Sequence, residues 1–133
     1  MKKNSESGLV LLVDDDSLLR DMYARKFREK GLRVEALGSV TEALERLRRG
    51  LAPSLIAFDI VLPTLDGFDF LKHLAQEGLA PRAVKVALTN QVQDEDREKA
   101  FALGAEGYII KANTTPSGAV EEVLRILREK ENK

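Results

Sequence analysis

The chain has 133 residues, 44% of them hydrophobic and 32% charged, a balance that argues against a disordered or membrane-embedded polypeptide and predicts one globular domain with a continuous core. Its 21 Lys plus Arg against 22 Asp plus Glu leave a net charge of -1, so there is no basic field to draw in nucleic acid. With 0 cysteines, disulfides, thiolate metal sites and cysteine nucleophiles are excluded together, a usage that agrees with a reducing compartment.

The polar start "MKKNSESG" lacks the apolar core of a signal peptide, and no apolar run is long enough to span a bilayer. A cytoplasmic protein without membrane contact is therefore expected, with residues 1–7 as a polar leader. Leu9 to Val13, "LVLLV", reads as a buried strand that stops at Asp14, Asp15 and Asp16. Helical spacing follows from Ser17, with Leu19, Met22 and Phe27 on the inner stripe and Gly31 closing the helix.

"LRVEAL" is a weaker strand, and Ser39 or Thr41 offers an N-cap for a second helix that turns Val40, Ala43, Leu44 and Leu47 inward and ends at Gly50. A third strand, Leu55 to Phe58, also ends in acid, at Asp59. Asp66 is placed to cap a third helix burying Phe68, Leu71 and Leu74 or Ala75 as far as Gly78, and "AVKVALT" gives a fourth strand. "QDEDREKAFALG" reads as a short charged helix and "EGYIIK" as a fifth strand. Thr115 then caps a last helix with Pro116 at its first position, where a missing N–H does no harm, and with Val120, Val123, Leu124 and Leu127 inward.

Strand then helix, five times over, predicts an α/β domain with a parallel sheet covered on both faces. In such sheets ligands bind beyond the carboxyl ends of the strands, where strand order reverses. The residues at those ends are Asp14 to Asp16, Asp59, Thr89 with Asn90, and Lys111. Each has a plain reading alone: the aspartates favour a helix N-terminus or cap a turn, Thr89 suits a strand, and Lys111 is a solvated loop charge. Together they read differently. Converging carboxylates raise one another's pKa or call for a cation, and oxygen ligands suit magnesium. With the metal bound, Asp59 can stay ionised as a nucleophile toward a phosphoryl group whose oxygens Lys111 and Thr89 stabilise.

"LLVDDD", "FDIVLPTLDG", "ALTN" and "GAEGYIIK", in this order and spacing, resemble the receiver domain of bacterial two-component response regulators, and the resemblance covers nearly the whole chain. It implies a five-stranded parallel, flavodoxin-like doubly wound (βα)5 fold with strand order 2-1-3-4-5, a domain over residues 8–131 and a polar tail at 132–133. Residue by residue it implies Asp14 and Asp15 as the acidic pair for Mg2+, Asp59 as phosphoacceptor and further metal ligand, and Val61 as a backbone carbonyl ligand. Thr89 and Lys111 would contact the phosphoryl group, and Tyr108 would pair with Thr89 in a conformational switch. The implied donor is a histidine kinase or a histidine phosphotransfer protein. The implied output is a downstream target or effector domain, met by the fourth helix, fifth strand and fifth helix, where Ala119 and Ile126 are expected to add apolar contact. Catalysis would extend only to the domain's own phosphorylation and dephosphorylation.

One position departs from the family. Ala112 follows the lysine where proline, often after a cis peptide, is usual; a cis bond before a non-proline residue costs ~2.5–4 kcal/mol, so a trans Lys111–Ala112 peptide is expected. Two rival readings stand beside this one. Asp14 and Asp16 form a D-x-D that resembles the nucleophile motif of haloacid-dehalogenase-type magnesium phosphatases, which would move the phosphoryl group to Asp14. The other rival is a receiver-like interaction module that is not phosphorylated. His73, alone on a helix, and the "RLRRG" cluster at Arg46 to Gly50 read as surface features.

Overall fold

The computed structural model describes residues 8–132; the expected leader, residues 1–7, lies outside them, as does the final residue of the expected tail. The elements alternate as β1 (Leu9–Val13), α1 (Ser17–Glu29), β2 (Arg33–Leu37), α2 (Val40–Arg48), β3 (Leu55–Phe58), α3 (Gly67–Glu77), β4 (Val84–Thr89), α4 (Asp94–Ala102), β5 (Gly107–Ile110), a 3-10 turn (Lys111–Asn113) and α5 (Pro116–Glu131). The sheet is parallel throughout, in the order β2-β1-β3-β4-β5, the expected doubly wound flavodoxin-like topology. Strand order reverses between β1 and β3, so the crevice of the fold opens where those two strands end.

Burial on both faces explains the unbroken apolar sequence of the central strands. All four residues of β3 are fully buried, and β1 is buried from Val10 onward. One core layer packs Leu11, Ile56, Phe58 and Ala87 of the sheet against Leu44, Leu47, Phe70 and Leu71. The opposite layer packs Val10, Leu12, Ala57 and Val86 against Phe27, Val120, Val123 and Leu127. No helix among the described residues is long and apolar enough to cross a membrane.

Several local expectations are corrected. In α1 the inner residues are Tyr23, Ala24 and Phe27, while Met22 stands 36% exposed; Met22 and Tyr23 are adjacent, so rotating the stripe by one residue satisfies the same apolar count. In α3 Leu74 is buried and Ala75 exposed. Phe70, absent from the expected stripe, is fully buried and meets Phe58 edge-on with ring centroids 5.7 Å apart. Ala119 and Ile126 belong to the core between α5 and the sheet, so neither adds exposed contact to the face of α4, β5 and α5. Of the two candidate caps of α2, Ser39 accepts from the Glu42 N–H, and Thr41 lies within the helix.

α4 differs in kind from the other helices. Ala100 is its one buried residue, and its N-cap Gln93 makes no side-chain capping bond. Lys99 lies over the Phe68 ring of α3 at 4.4 Å. Contacts of this partly exposed type hold a helix more loosely than an apolar stripe does.

Candidate functional site

Strand register places the site. Val13 pairs with Phe58, so the residues that follow them, Asp14 and Asp59, emerge side by side at the end of the sheet. Backbone bonds continue the ladder one step further: Asp59 N–H donates to Val13 O at 3.0 Å and Asp14 N–H to Leu37 O at 3.1 Å. Thr89 pairs with Ile110, which brings Lys111 to the same rim.

Around Asp59 the chain turns sharply. Asp59 Oδ1 accepts from the Val61 N–H at 3.1 Å, and Gly67 N–H donates to Ile60 O at 2.8 Å. A Cβ on Gly67 would lie 2.6 Å from the Asp59 carbonyl oxygen and 2.7 Å from Ile60 Cα, so only glycine lets α3 start this close to the strand end. Asp66 fixes that start through a capping box: its carboxylate accepts from Asp69 N–H at 2.9 Å, and Asp69 accepts from Asp66 N–H at 3.0 Å.

The Lys111 ammonium joins the two buried aspartates. Its Nζ donates to Asp14 Oδ2 and to Asp59 Oδ2, each at 2.7 Å. Asp14 is 2% exposed, Asp59 8% and Lys111 8%. Burial pushes Asp14 above the ordinary carboxylate range despite the bond from Lys111. For Lys111 burial works downward, yet the paired bonds to Asp14 and Asp59 outweigh it and hold the ammonium above its usual value. The three groups therefore form one buried hydrogen-bonded cluster.

Asp15 is exposed at the mouth of this cluster. One carboxylate oxygen from each of Asp14, Asp15 and Asp59 lies within 4.8 Å of the others. Three carboxylates against one ammonium leave negative charge uncompensated, and an all-oxygen donor set of that charge suits a hard divalent cation such as magnesium. These residues fit the ion that the fold family implies.

The third aspartate of the run has another task. Asp16 is the N-cap of α1, its Oδ1 accepting from Leu19 N–H at 3.1 Å. The D-x-D reading therefore loses its second carboxylate to a helix terminus. Sequence reasoning also missed Arg20, whose Nη1 donates to the Asp14 carbonyl at 2.7 Å. Gly38 leaves room for it, since a Cβ there would lie 3.2 Å from that nitrogen. No side-chain pattern signals a bond to a backbone oxygen six residues away.

Thr89 and Tyr108 sit beside the cluster without bonding to it. Thr89 is fully buried, and its hydroxyl oxygen is 3.4 Å from the Gln91 N–H. The Tyr108 hydroxyl donates to Gln91 O at 2.8 Å, and burial raises its pKa. Val61 leaves its side chain exposed at the rim. All described peptide bonds are trans, Lys111–Ala112 among them, and the Ala112 N–H donates to Asn90 Oδ1 at 2.9 Å.

Comparison with known proteins gives matches of three kinds, to a family model, to relatives in sequence and to solved structures. Residues 10–119 match the family model described as the response regulator receiver domain. Among relatives, an uncharacterized 14.6 kDa protein of Leptolyngbya boryana is 31% identical over 102 residues, spanning 77% of both chains. The transcriptional activator protein PfeR of Pseudomonas aeruginosa is 37% identical over 105 residues, which is 79% of this chain and 33% of PfeR, so the match spans about a third of that regulator. Among solved structures, a CheY-like response regulator receiver domain protein from Methanospirillum hungatei aligns with a TM-score of 0.83 at 26% identity, over 95% of this chain and 98% of that one.

Proposed function

The chain belongs to the response regulator receiver domain family of two-component signalling, and from that premise we propose that Asp59 accepts the phosphoryl group. The observation that carries the assignment is the convergence of Asp14, Asp59 and the Lys111 ammonium at 2.7 Å contacts at the point where strand order reverses.

An Asp59 carboxylate oxygen attacks phosphorus, a P–O bond forms, and the bond to the donor breaks with its electron pair leaving on the donor. Because Lys111 shares its protons between two carboxylates, one ammonium can stay paired with Asp14 while it turns toward the oxygens of the incoming group. Thr89, whose hydroxyl is held only by a long contact to Gln91 N–H, is free to donate to the same oxygens. Asp14, Asp15, Asp59 and the Val61 carbonyl would hold Mg2+, which when bound neutralises charge on the phosphoryl oxygens.

The donor is a histidine kinase or a histidine phosphotransfer protein. Catalysis extends only to the domain's own phosphorylation and dephosphorylation. Residues 8–131 form the domain, in a cytoplasmic protein. The switch pair is Thr89 and Tyr108, and the surface it changes is that of α4, β5 and α5, which meets a downstream target or effector domain while making no nucleic-acid contact itself. The loose packing of α4 supports its choice as the moving element.

Incubation with acetyl phosphate and Mg2+ tests the assignment by intact mass. One phosphoryl group is expected on the wild type and none on Asp59→Asn; a phosphoryl group acquired by Asp59→Asn at the wild-type rate would show the acceptor to be elsewhere.

A further inference from the structure

We propose that Asn90 is a positioning residue for phosphoryl transfer, holding the Lys111 turn in place through its bond to the Ala112 backbone. The proposal rests on the reading of Asp59 and Lys111 given above. Asn90 directly follows Thr89 at the end of β4, and Ala112 directly follows Lys111 at the end of β5. The 2.9 Å bond between Asn90 Oδ1 and the Ala112 N–H thus ties together the two loops that carry the groups facing the phosphoryl oxygens.

The donor exists because residue 112 is not proline, which has no N–H to give. Lys111–Asn113 is a single 3-10 turn closed by one long bond, Thr114 N–H to Lys111 O at 3.3 Å. A turn so short has little stability of its own, and its first N–H groups have no partner within it. Asn90 supplies that partner from across the sheet end. The same loop is pinned a second time where Tyr108 donates to Gln91 O at 2.8 Å. Residues 90 and 91 therefore accept bonds from both sides of Lys111, three residues before it and one after.

Two consequences follow. Removing the Asn90 acceptor frees the turn and lets the ammonium leave the line between Asp14 and Asp59, which slows transfer. It does not weaken Mg2+ binding, because the bond touches none of Asp14, Asp15 or Asp59 and an ammonium that moves away from Asp14 and Asp59 takes positive charge from beside the metal ligands. A single hydrogen bond open to water sets the scale at about fivefold in rate.

The full chain with acetyl phosphate and Mg2+ tests this by the rate of phosphoryl gain. Asn90→Ala is expected to be about fivefold slower at saturating donor, with the Mg2+ half-saturation point no higher than that of the wild type. In a Lys111→Ala background the same change should cost nothing further. Asn90→Asp keeps an oxygen acceptor and should keep the Ala112 amide protected from hydrogen exchange, whereas Asn90→Ala should expose that amide and leave protected the Ala105 amide, which donates to Ala100 O at 2.9 Å. If the wild type is phosphorylated on Asp59 and Asn90→Ala matches its rate, the inference fails alone. A full additional loss in the Lys111→Ala background would likewise overturn it. A wild type that takes no phosphoryl group on Asp59 overturns the parent reading and this inference together.

Discussion

Val61 stands 56% exposed beside Asp59, bound to it through a backbone N–H, and its side chain carries no group that could hold a water in line with a phosphorus atom. Gln91 has an amide, but its Nε2 donates to Asp96 Oδ2 of α4 at 3.3 Å, which turns it from that task. Slow loss of the phosphoryl group is the expected outcome. Val61→Asn should shorten the half-life of phosphorylated protein more than Gln91→Ala does, followed by mass spectrometry after removal of the donor. A Val61→Asn variant that keeps its phosphoryl group as long as the wild type, with Mg2+ affinity intact, would contradict the account. The identity of the rim residues was legible because strand ends are where apolar runs stop. What separates Asp14, Asp15 and Asp16 was not. They are identical side chains in one run, and only their placement between β1 and α1 makes the first buried, the second exposed and the third a helix cap. Arg20 was hidden for a different reason, and so was the bond made by Asn90, itself already placed at the rim: each bonds to a backbone atom, 6 and 22 residues away, and backbone partners leave no mark on side-chain spacing.

Among the elements, the loop between β3 and α3 is tightly constrained. It leaves Asp59, holds Thr64 at a φ of 68°, a value costly for a β-branched residue, and enters α3 through the Asp66–Asp69 capping box. Asp66→Ala should therefore lower stability by about 1 kcal/mol, measured by denaturant unfolding. It should also slow phosphorylation, because Gly67 packs against the Asp59 backbone. An unchanged unfolding midpoint would mean that the box contributes nothing. Helix positions were readable from the 3.6-residue period, and Ser39, Asp66 and Thr115 do cap α2, α3 and α5. Stripe phase was less secure where two apolar residues adjoin, as at Met22 and Tyr23, since the choice between them is made by the sheet beneath. For α4 the sequence has almost no stripe to read, and in the structure the helix buries Ala100 alone.

For the whole molecule, the parallel sheet buried between two helical layers carries the fold, and the cluster at its switch point carries unbalanced negative charge. A divalent cation that binds only the folded state stabilises it by mass action, by about 2.7 kcal/mol at 100 times its Kd. Mg2+ should thus raise the thermal midpoint of the wild type and leave Asp14→Asn nearly unmoved; equal gains in both would remove Asp14 from the metal site. Alternation of strand and helix made the layer architecture legible from sequence, whereas strand order was legible only through family resemblance, because nothing in a strand's own residues names its neighbour. The most direct test of the central assignment is to trap the phosphorylated wild type with borohydride, which reduces an aspartyl phosphate to homoserine, and to locate the change by peptide mass spectrometry. The account predicts homoserine at position 59 alone; homoserine at position 14, with Asp59 untouched, would contradict it.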